Sequence, residues 1–280
     1  GVDLTEQSRM TLGEWMDQWL ENITGTIRPT TLTRYQGAIR IHINPHLGGK
    51  PITQVTGKDV QKLYDALASH GNQITGKGLA SSTIRGIHSM LHEALDAAKQ
   101  AGLIPWNPTE EIPTPKFACK VKQILTDEQL DVFMAIIQQD DIWHDFFYTE
   151  LTTGLRRGEI CGLKWTDFNE ADGTLKVRRT VHQEKGGKLT AWDTKTAAGA
   201  RTIILPPSTA ELLRERKKSA LTEWIFPNPL KPEQPTRPGT AYNRMKSLLK
   251  AAGLPDLRFH DLRHTFATHA LTSGVDVKTL

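Results

Sequence analysis

Cysteine is almost missing from this chain: Cys119 and Cys161 are the two among 280 residues. Two cysteines cannot frame a disulfide-built secreted fold. The expectation is a reducing cytoplasm with both as small apolar residues, and the Asn22-Ile23-Thr24 sequon is then without meaning. No apolar run approaches the roughly 18 residues that a membrane span needs, and no signal peptide opens the sequence. Glycine has no three-residue period, heptads are not sustained, and aromatics are too many for a disordered chain. Also missing are G-x-x-x-x-G-K-[ST], a G-x-G-x-x-G after a strand, and G-x-S-x-G, so nucleotide-driven chemistry and serine hydrolysis have no support.

What is present is charge, unevenly spread. The chain carries 35 Lys and Arg against 31 Asp and Glu, a net of +4. Residues 1–21 hold Asp3, Glu6, Glu14, Asp17 and Glu21 against Arg9 alone. From Asn22 to Lys58 there is no acid, yet Arg28, Arg34, Arg40, Lys50 and Lys58 all occur. Ala66 to His92 is again free of acid and carries Lys77 and Arg85. Two such stretches suggest a face turned towards phosphate, with chance clustering on a solvated face as the alternative.

The length suggests two domains. Leu12, Trp15, Met16, Trp19 and Leu20 recur with helical spacing, predicting a helix from Thr11 to Asn22. A second is predicted from about Thr30 through Leu32, Tyr35, Ile39 and Ile43, ended by Pro45, Gly48 and Gly49. A third follows Thr56-Gly57-Lys58-Asp59, with Val60, Leu63, Tyr64 and Leu67 inward. After a loop from Gly71 to Gly78, Ser81 or Ser82 is expected to cap a fourth helix along Ile84, Ile87, Leu91, Leu95 and Ala98. Four such helices make a small all-α bundle. Pro105 to Lys116 reads as an extended linker.

Beyond it, Thr126-Asp127-Glu128-Gln129 is a capping box, and Phe146–Thr153 and Gly158–Trp165 are predicted helical. Leu175 to Val181 reads as one strand, returned through Gly186-Gly187 by Leu189–Thr194, with Arg201–Leu205 as a third. Ser208-Thr209-Ala210-Glu211 should cap a helix, and helices resume near Thr240 and from Phe259. The fold class expected is mainly α with a small antiparallel β-sheet. The expected division is a helical domain over 1–107, a linker over 108–121 and an α+β domain over 122–280.

Three clusters could carry chemistry. In Thr153-Gly154-Leu155-Arg156-Arg157-Gly158-Glu159, two arginines open a helix, the wrong end for a cation. Such an arginine needs a partner, either Glu159 at i+3 or a phosphate. Lys195 lies on a hairpin tip, where most lysines are merely solvated. In Phe259-His260-Asp261-Leu262-Arg263-His264, His260 and Arg263 share a helical face, and apolar neighbours are expected to bury the pair. A buried His–Arg pair without a carboxylate on its face is costly unless an anion completes it. His260 and His264 have the spacing of a zinc helix, but Asp261 replaces the glutamate of H-E-x-x-H and Arg263 would repel a dication, so no metal is assigned. Two arginines, a lysine and a histidine from three elements describe a cage for one phosphate. It needs no cofactor, because its cations are built in. It does need a nucleophile.

The order Thr153-Gly154-Leu155-Arg156-x-x-Glu159, then Lys195, then His260-x-x-Arg263-His264-x-Phe266-Ala267-Thr268, resembles the tyrosine recombinases. Upstream, Pro29-Thr30-Thr31-Leu32-x-x-Tyr35 and Ile43-x-Pro45-x-Leu47-Gly48 resemble the core-binding domain of phage-type and conjugative-transposon integrases. The resemblance runs from about Leu12 to the end of the chain. It implies a core-binding (SAM-like) helical domain followed by a catalytic domain. It also implies site-specific DNA recombination, the integration or excision of a mobile element, through a 3′-phosphotyrosyl intermediate. By that resemblance Arg156 and Arg263 hold the phosphate, His260 assists as acid/base or donor, Lys195 serves the leaving oxygen, and Glu159 supports Arg156. Arg157 is the neighbour most easily confused with Arg156.

The same resemblance implies DNA contacts from Arg28, Thr30, Thr31, Arg34 and Tyr35 on the second helix, and from Ser81, Ser82, Thr83 and Arg85 on the fourth. The partners implied are double-stranded DNA at attachment or transposon-end core sites and, for the full-length protein, other protomers in a tetrameric synapse. One departure from the family concerns the nucleophile. Its tyrosines are Tyr35, Tyr64, Tyr148 and Tyr242, all before His260, where none fits the place of the nucleophile. The expectation is a fragment without its nucleophile. The competing readings are a non-catalytic DNA-binding module with the same fold and a type IB topoisomerase, which lacks the first domain's signature.

Overall fold

Thr11 starts the first helix by a reciprocal cap: its hydroxyl accepts the Glu14 N–H, and the Glu14 carboxylate accepts the Thr11 N–H. Helix α1 (Leu12–Ile23) buries Leu12, Trp15, Met16, Trp19 and Leu20, the stripe that its spacing predicts. The Trp15 indole donates to the Ala94 carbonyl at 2.8 Å, so its one polar atom is satisfied inside the core. In the computed structural model, residues 9–113, 123–184, 187–193 and 200–272 are described, with 192–193 and 266–272 described by backbone alone. The chain divides into two units, Gly1–Lys120 and Val121–Leu280.

In the first unit, α2 (Pro29–Ala38) continues as a π-helix, Ile39–Gly48, that carries Pro45 inside it. Pro45 therefore does not end the helix as the sequence predicts. A proline in an α-helix clashes with the carbonyl four residues back, and the wider π turn relieves that clash. Ile39, Ile43 and Leu47 are its buried positions. Helix α3 (Gly57–His70) is capped by Thr56 and Asp59. Helix α4 (Ser81–Gln100) takes Ala80 as its N-cap with no side-chain cap, so Ser81 and Ser82 are its first two residues and not the cap.

The extended linker expected from Pro105 gives way at Pro108–Glu111 to a 3₁₀ turn. Asn107, fully buried, donates to Asp96 at 3.1 Å and to the His92 carbonyl at 3.0 Å, while Glu111 accepts the Gly57 N–H. These polar anchors fix the turn against α4 and α3, which proline content alone does not reveal.

The second unit begins with α5 (Asp127–Ile137), capped by Thr126 and Gln129, and α6 (His144–Thr153). Helix α7 is shorter than predicted, Arg157–Cys161, and a 3₁₀ turn follows at Trp165–Asp167. The strands are β1 (Phe168–Asn169), β2 (Thr174–Val177), β3 (Arg179–Gln183), β4 (Leu189–Asp193) and β5 (Arg201–Ile204). Helix α8 (Pro207–Lys218) is capped by Pro206, not Ser208, and Thr209 is buried instead, donating to Thr152 at 2.8 Å. Strands β6 (Pro227–Asn228) and β7 (Lys231–Pro235) precede α9 (Pro238–Ala251) and α10 (Phe259–Thr272).

The predicted single strand over 175–181 is two. β2 pairs antiparallel with β1 and β5, whereas β3 pairs with β4, and β6 with β7 forms a third small sheet. Buried Asp167 accounts for the break. It takes a hydrogen bond from Arg179, which also donates to the Gly162 carbonyl at 3.1 Å. The corner at Arg178-Arg179 is thus tied down, and the chain leaves one sheet for another. The class, mostly helical with small antiparallel sheets, is as expected. Among the described residues no helix is long and apolar enough to cross a membrane.

Candidate active site

Gly154 decides where Arg156 stands. Helix α6 closes on Gly154 at φ 58°, the left-handed region that glycine enters without steric cost. Leu155 is fully buried, Arg156 is the N-cap of α7, and that helix presses on β3. A Cβ on Gly158 would lie 2.6 Å from the Thr180 methyl and 2.8 Å from the Val181 carbonyl oxygen. Glycine is therefore required there, and Glu159, the next residue, is only 3% exposed.

Glu159 is the electrostatic hub. Arg156 donates its backbone N–H to Oε2 at 2.9 Å and Nη1 to Oε1 at 2.8 Å. Arg201, the first residue of β5, donates Nη1 to Oε1 at 3.0 Å and Nη2 to Oε2 at 2.8 Å. Burial pushes the carboxyl up, but the hydrogen bonds from Arg201 and Arg156 outweigh it and hold its pKa at about 2. The group is an anion at neutral pH. The partner foreseen for Arg156 is present, yet it occupies one side-chain N–H of an arginine that is 59% exposed.

Arg263 reaches the same place from α10. Its Nη1 donates to the Gly154 carbonyl at 2.5 Å, two residues before Arg156. Burial, then the charges of Arg156 and Arg201, draw its pKa down, against Glu159 and Glu150. Three guanidiniums thus crowd one region around a single ionised carboxylate.

His260 lies one turn before Arg263, with its ring 4.6 Å from that of His264. The buried His–Arg pair predicted from the sequence is not found: His260 is exposed and Arg263 half-buried. Among the described side chains of α10, Phe259, Asp261, Leu262 and Thr265 are buried, whereas His260 stands exposed on the flank. Buried Asp261 pairs with Arg258. It accepts the Arg258 N–H at 2.8 Å and the Arg258 guanidinium at 2.9 and 3.0 Å. Arg156 and His260 line an open cleft of about 270 Å³ with Arg157, Arg258 and Tyr242. Arg157 spends its charge on rings, 5.6 Å above Tyr242 and 6.0 Å from Phe259. Lys195 lies outside the described residues.

Two residues escape the sequence reading. Arg201 passes as a strand opener, although a buried glutamate at a helix start implies more than one cation. Glu150, in the run Phe146–Leu151, is fully buried, and among the described residues neither of its oxygens has a hydrogen-bond partner. Burial pushes its carboxyl well above the ordinary range, with the charge of Arg263 opposing. Cys161 is buried, which likewise raises its thiol.

In the first unit the candidate contacts lie on two helices. Arg28, Thr30 and Arg34 of α2 are exposed, as are Ser81, Ser82, Thr83 and Arg85 of α4; Thr31 is half-buried. Tyr35 is half-buried too, stacked on Trp19 at 5.8 Å, with Arg34 5.4 Å over its ring. Neither α2 nor α4 has a side-chain cap; Pro29 at the start of α2 has no N–H, and Thr31 and Thr83 already donate theirs to the cap carbonyls of Arg28 and Ala80.

The sequence profile described as the Phage integrase family matches residues 123–280, and that of the phage integrase N-terminal SAM-like domain matches 11–68. A "Tyrosine recombinase XerC-like" protein of Caldanaerobacter subterraneus subsp. tengcongensis is 28% identical over 302 residues, covering 97% of this chain and 75% of that protein. The integrase of Mycobacterium phage L5 is 27% identical over 290 residues, covering 98% and 71%. Among solved structures, the Tn1549 transposon integrase in complex with a circular intermediate DNA superposes with a TM-score of 0.82 at 22% identity, over 96% of this chain and 89% of that one. A lambda integrase tetramer bound to a Holliday junction gives a TM-score of 0.75 at 22% identity, over 99% and 77%.

Proposed function

This chain belongs to the phage integrase family, and from that premise we propose that it binds double-stranded DNA and holds the scissile phosphate of a site-specific recombination reaction. The observation that carries the reading is the convergence of Arg156 and Arg263 at Gly154. Arg263 bonds the Gly154 carbonyl within reach of the charges of Arg156 and Arg201, while Glu159 pairs with Arg156 and Arg201, leaving a positive excess that a phosphodiester matches.

In this reading Arg156 and Arg263 bind the non-bridging oxygens and stabilise the charge that grows on them during attack. His260, exposed at the cleft, donates to or relays protons for the same group. Lys195 gives a proton to the departing 5′-oxygen as the phosphorus–oxygen bond breaks. The attacking group is a tyrosine whose oxygen becomes bonded to the 3′-phosphate, and a 5′-hydroxyl later reverses the step. None of Tyr35, Tyr64, Tyr148 and Tyr242 is assigned this role; Tyr64 is buried with its hydroxyl 2.9 Å from His88 Nδ1. Arg157, held over its rings, takes no part. The first unit adds phosphate contacts from Arg28, Thr30, Thr31 and Arg34 at the start of α2 and from Ser81, Ser82, Thr83 and Arg85 at the start of α4. Tyr35 mainly supports α2 against Trp19. Such contacts position the duplex without reading its sequence. The solved relatives are DNA complexes, one of them tetrameric, and we assign the same kind of partners here. The cytoplasm, where DNA is at hand, is the compartment we assign.

The test is a nicked suicide substrate incubated with the full-length protein in EDTA. A covalent protein–DNA adduct that survives denaturation and is lost in Arg263→Ala supports the reading. Salt-sensitive DNA binding with no adduct would instead make the chain a binding module.

A further inference from the structure

We propose that Arg201 is a positioning residue for Arg156: by holding Glu159 through both oxygens it keeps that carboxylate from closing on Arg156 and so leaves the Arg156 guanidinium available to the phosphate. The inference rests on the phosphate-cage reading above.

The geometry is a saturated carboxylate. An ionised carboxylate has about four lone-pair sites. Oε1 accepts from Arg156 Nη1 at 2.8 Å and Arg201 Nη1 at 3.0 Å, while Oε2 accepts from the Arg156 backbone at 2.9 Å and Arg201 Nη2 at 2.8 Å. All four sites are filled. Arg201 makes the two-pronged, parallel contact that guanidinium and carboxylate favour. Arg156 makes only a single side-chain bond, and among the described residues no other group takes its remaining donors.

Arg201 can do this because its backbone is fixed. It pairs with Val177 across β2 and β5, and its side chain is 31% exposed, less than that of Arg156. Without Arg201, each oxygen of Glu159 loses one donor in a buried setting, where an unfilled acceptor is costly. The nearest replacement is the second prong of Arg156, whose more exposed side chain has room to turn. A two-pronged Arg156–Glu159 pair would withdraw donors from the phosphate and neutralise the arginine that should hold it.

The experiment follows the arginine side-chain Nε–H signals of the 15N-labelled chain during titration with inorganic phosphate, with Arg156 and Arg263 assigned by lysine substitution. In the wild type both signals should move. In Arg201→Ala the Arg263 response should persist, while Arg156 should need roughly tenfold more phosphate, as expected for losing one charge-assisted contact. The double variant Arg201→Ala with Glu159→Gln should recover most of the Arg156 response, because no anion is left to capture it. A merely structural role for Arg201 predicts the opposite, a double variant no better than the single. If Arg201→Ala fails to fold, Arg201→Lys keeps the charge without the fork and should show a several-fold loss at Arg156 alone. An Arg156 titration unchanged in Arg201→Ala or Arg201→Lys, or a folded double variant without recovery, overturns the inference. A wild type in which neither signal moves removes the phosphate-cage reading itself, and this inference with it.

Discussion

The two units bury different things. In the first, the buried polar residues are neutral at ordinary pH: His88, Asn107 and Thr109, joined by hydrogen bonds to Tyr64 and His92. Burial, with His92 and Arg85 nearby, lowers the pKa of His88, so that core stays uncharged. The second unit buries Asp140, Glu150, Glu159, Asp167 and Asp261, four of them on arginines. A buried carboxylate is costly unless a cation pairs with it. Here most of the pairing arginines stay partly exposed, so the second unit holds its acids inside and their cations at its surface. The first unit presents its cations on the surface, where they can meet DNA without reorganising the core.

This contrast can be broken or sharpened experimentally. The largest effect is expected at the phosphate cage. Arg263→Ala in the full-length protein should slow adduct formation by about 10²–10³-fold, as for loss of one donor to a developing oxyanion. DNA affinity in a gel-shift titration should change far less. Equal losses in both would mean that Arg263 merely binds.

Next comes Glu159→Ala, which leaves two guanidiniums facing each other in a half-buried site. It should destabilise the second unit by about 1–2 kcal/mol, less than for a sealed pair because the two arginines left behind are partly exposed and water screens them. Calorimetry should leave the first unit's transition in place. The pH dependence has a definite sign. The folded pKa of Glu159, about 2, lies below the ordinary 4.5, so its stabilisation is full above about pH 4.5 and fades as pH falls towards 2. The variant should lack that acid limb.

Glu150 predicts the reverse. Its folded pKa is raised, so its contribution is most favourable below the ordinary carboxylate value and is lost as pH rises towards the folded value. Within that window wild-type stability should fall by up to about 1.4 kcal/mol per pH unit. Glu150→Gln should remove the slope and be the more stable protein at pH 8 in urea titrations, with the gap closing near pH 4. A flat wild-type profile would show that Glu150 is not the buried acid described here.

The smallest effect belongs to the first unit. Arg34→Ala should weaken DNA binding several-fold and lower the salt slope by about one, with melting unchanged. A large loss of melting temperature would instead assign Arg34 to the packing of Tyr35 on Trp19.

Much of this was legible from local pattern. The stripes Leu12–Leu20 and Val60–Leu67, and the caps at Thr56 and Thr126, follow from helical periodicity and from hydrogen bonds that close within four residues. Arg156 with Glu159 was visible for the same reason, being three residues apart at a helix start. The differences lie where a π turn or a distant partner overrules the local preference. Pro45 sits inside a helix, the strand expected over 175–181 divides at a corner tied to Asp167, and Asn107 folds an expected linker back onto α4.

Sequence by itself determined the helical first unit, the mixed second unit, and the order along the chain of the residues we propose for the phosphate cage. Each depends on spacing, propensity or motif, and those are properties of neighbouring residues. Tertiary structure alone decided that Arg263 bonds to the Gly154 carbonyl, that Arg201 shares Glu159 with Arg156, that His260 stands on the exposed flank of α10, and that Glu150 is buried with neither oxygen hydrogen-bonded among the described residues. The physical reason is that charge is settled by burial and by through-space neighbours. A carboxylate three residues from an arginine can be foreseen, but which second arginine completes it depends on how β5 lies beside α7.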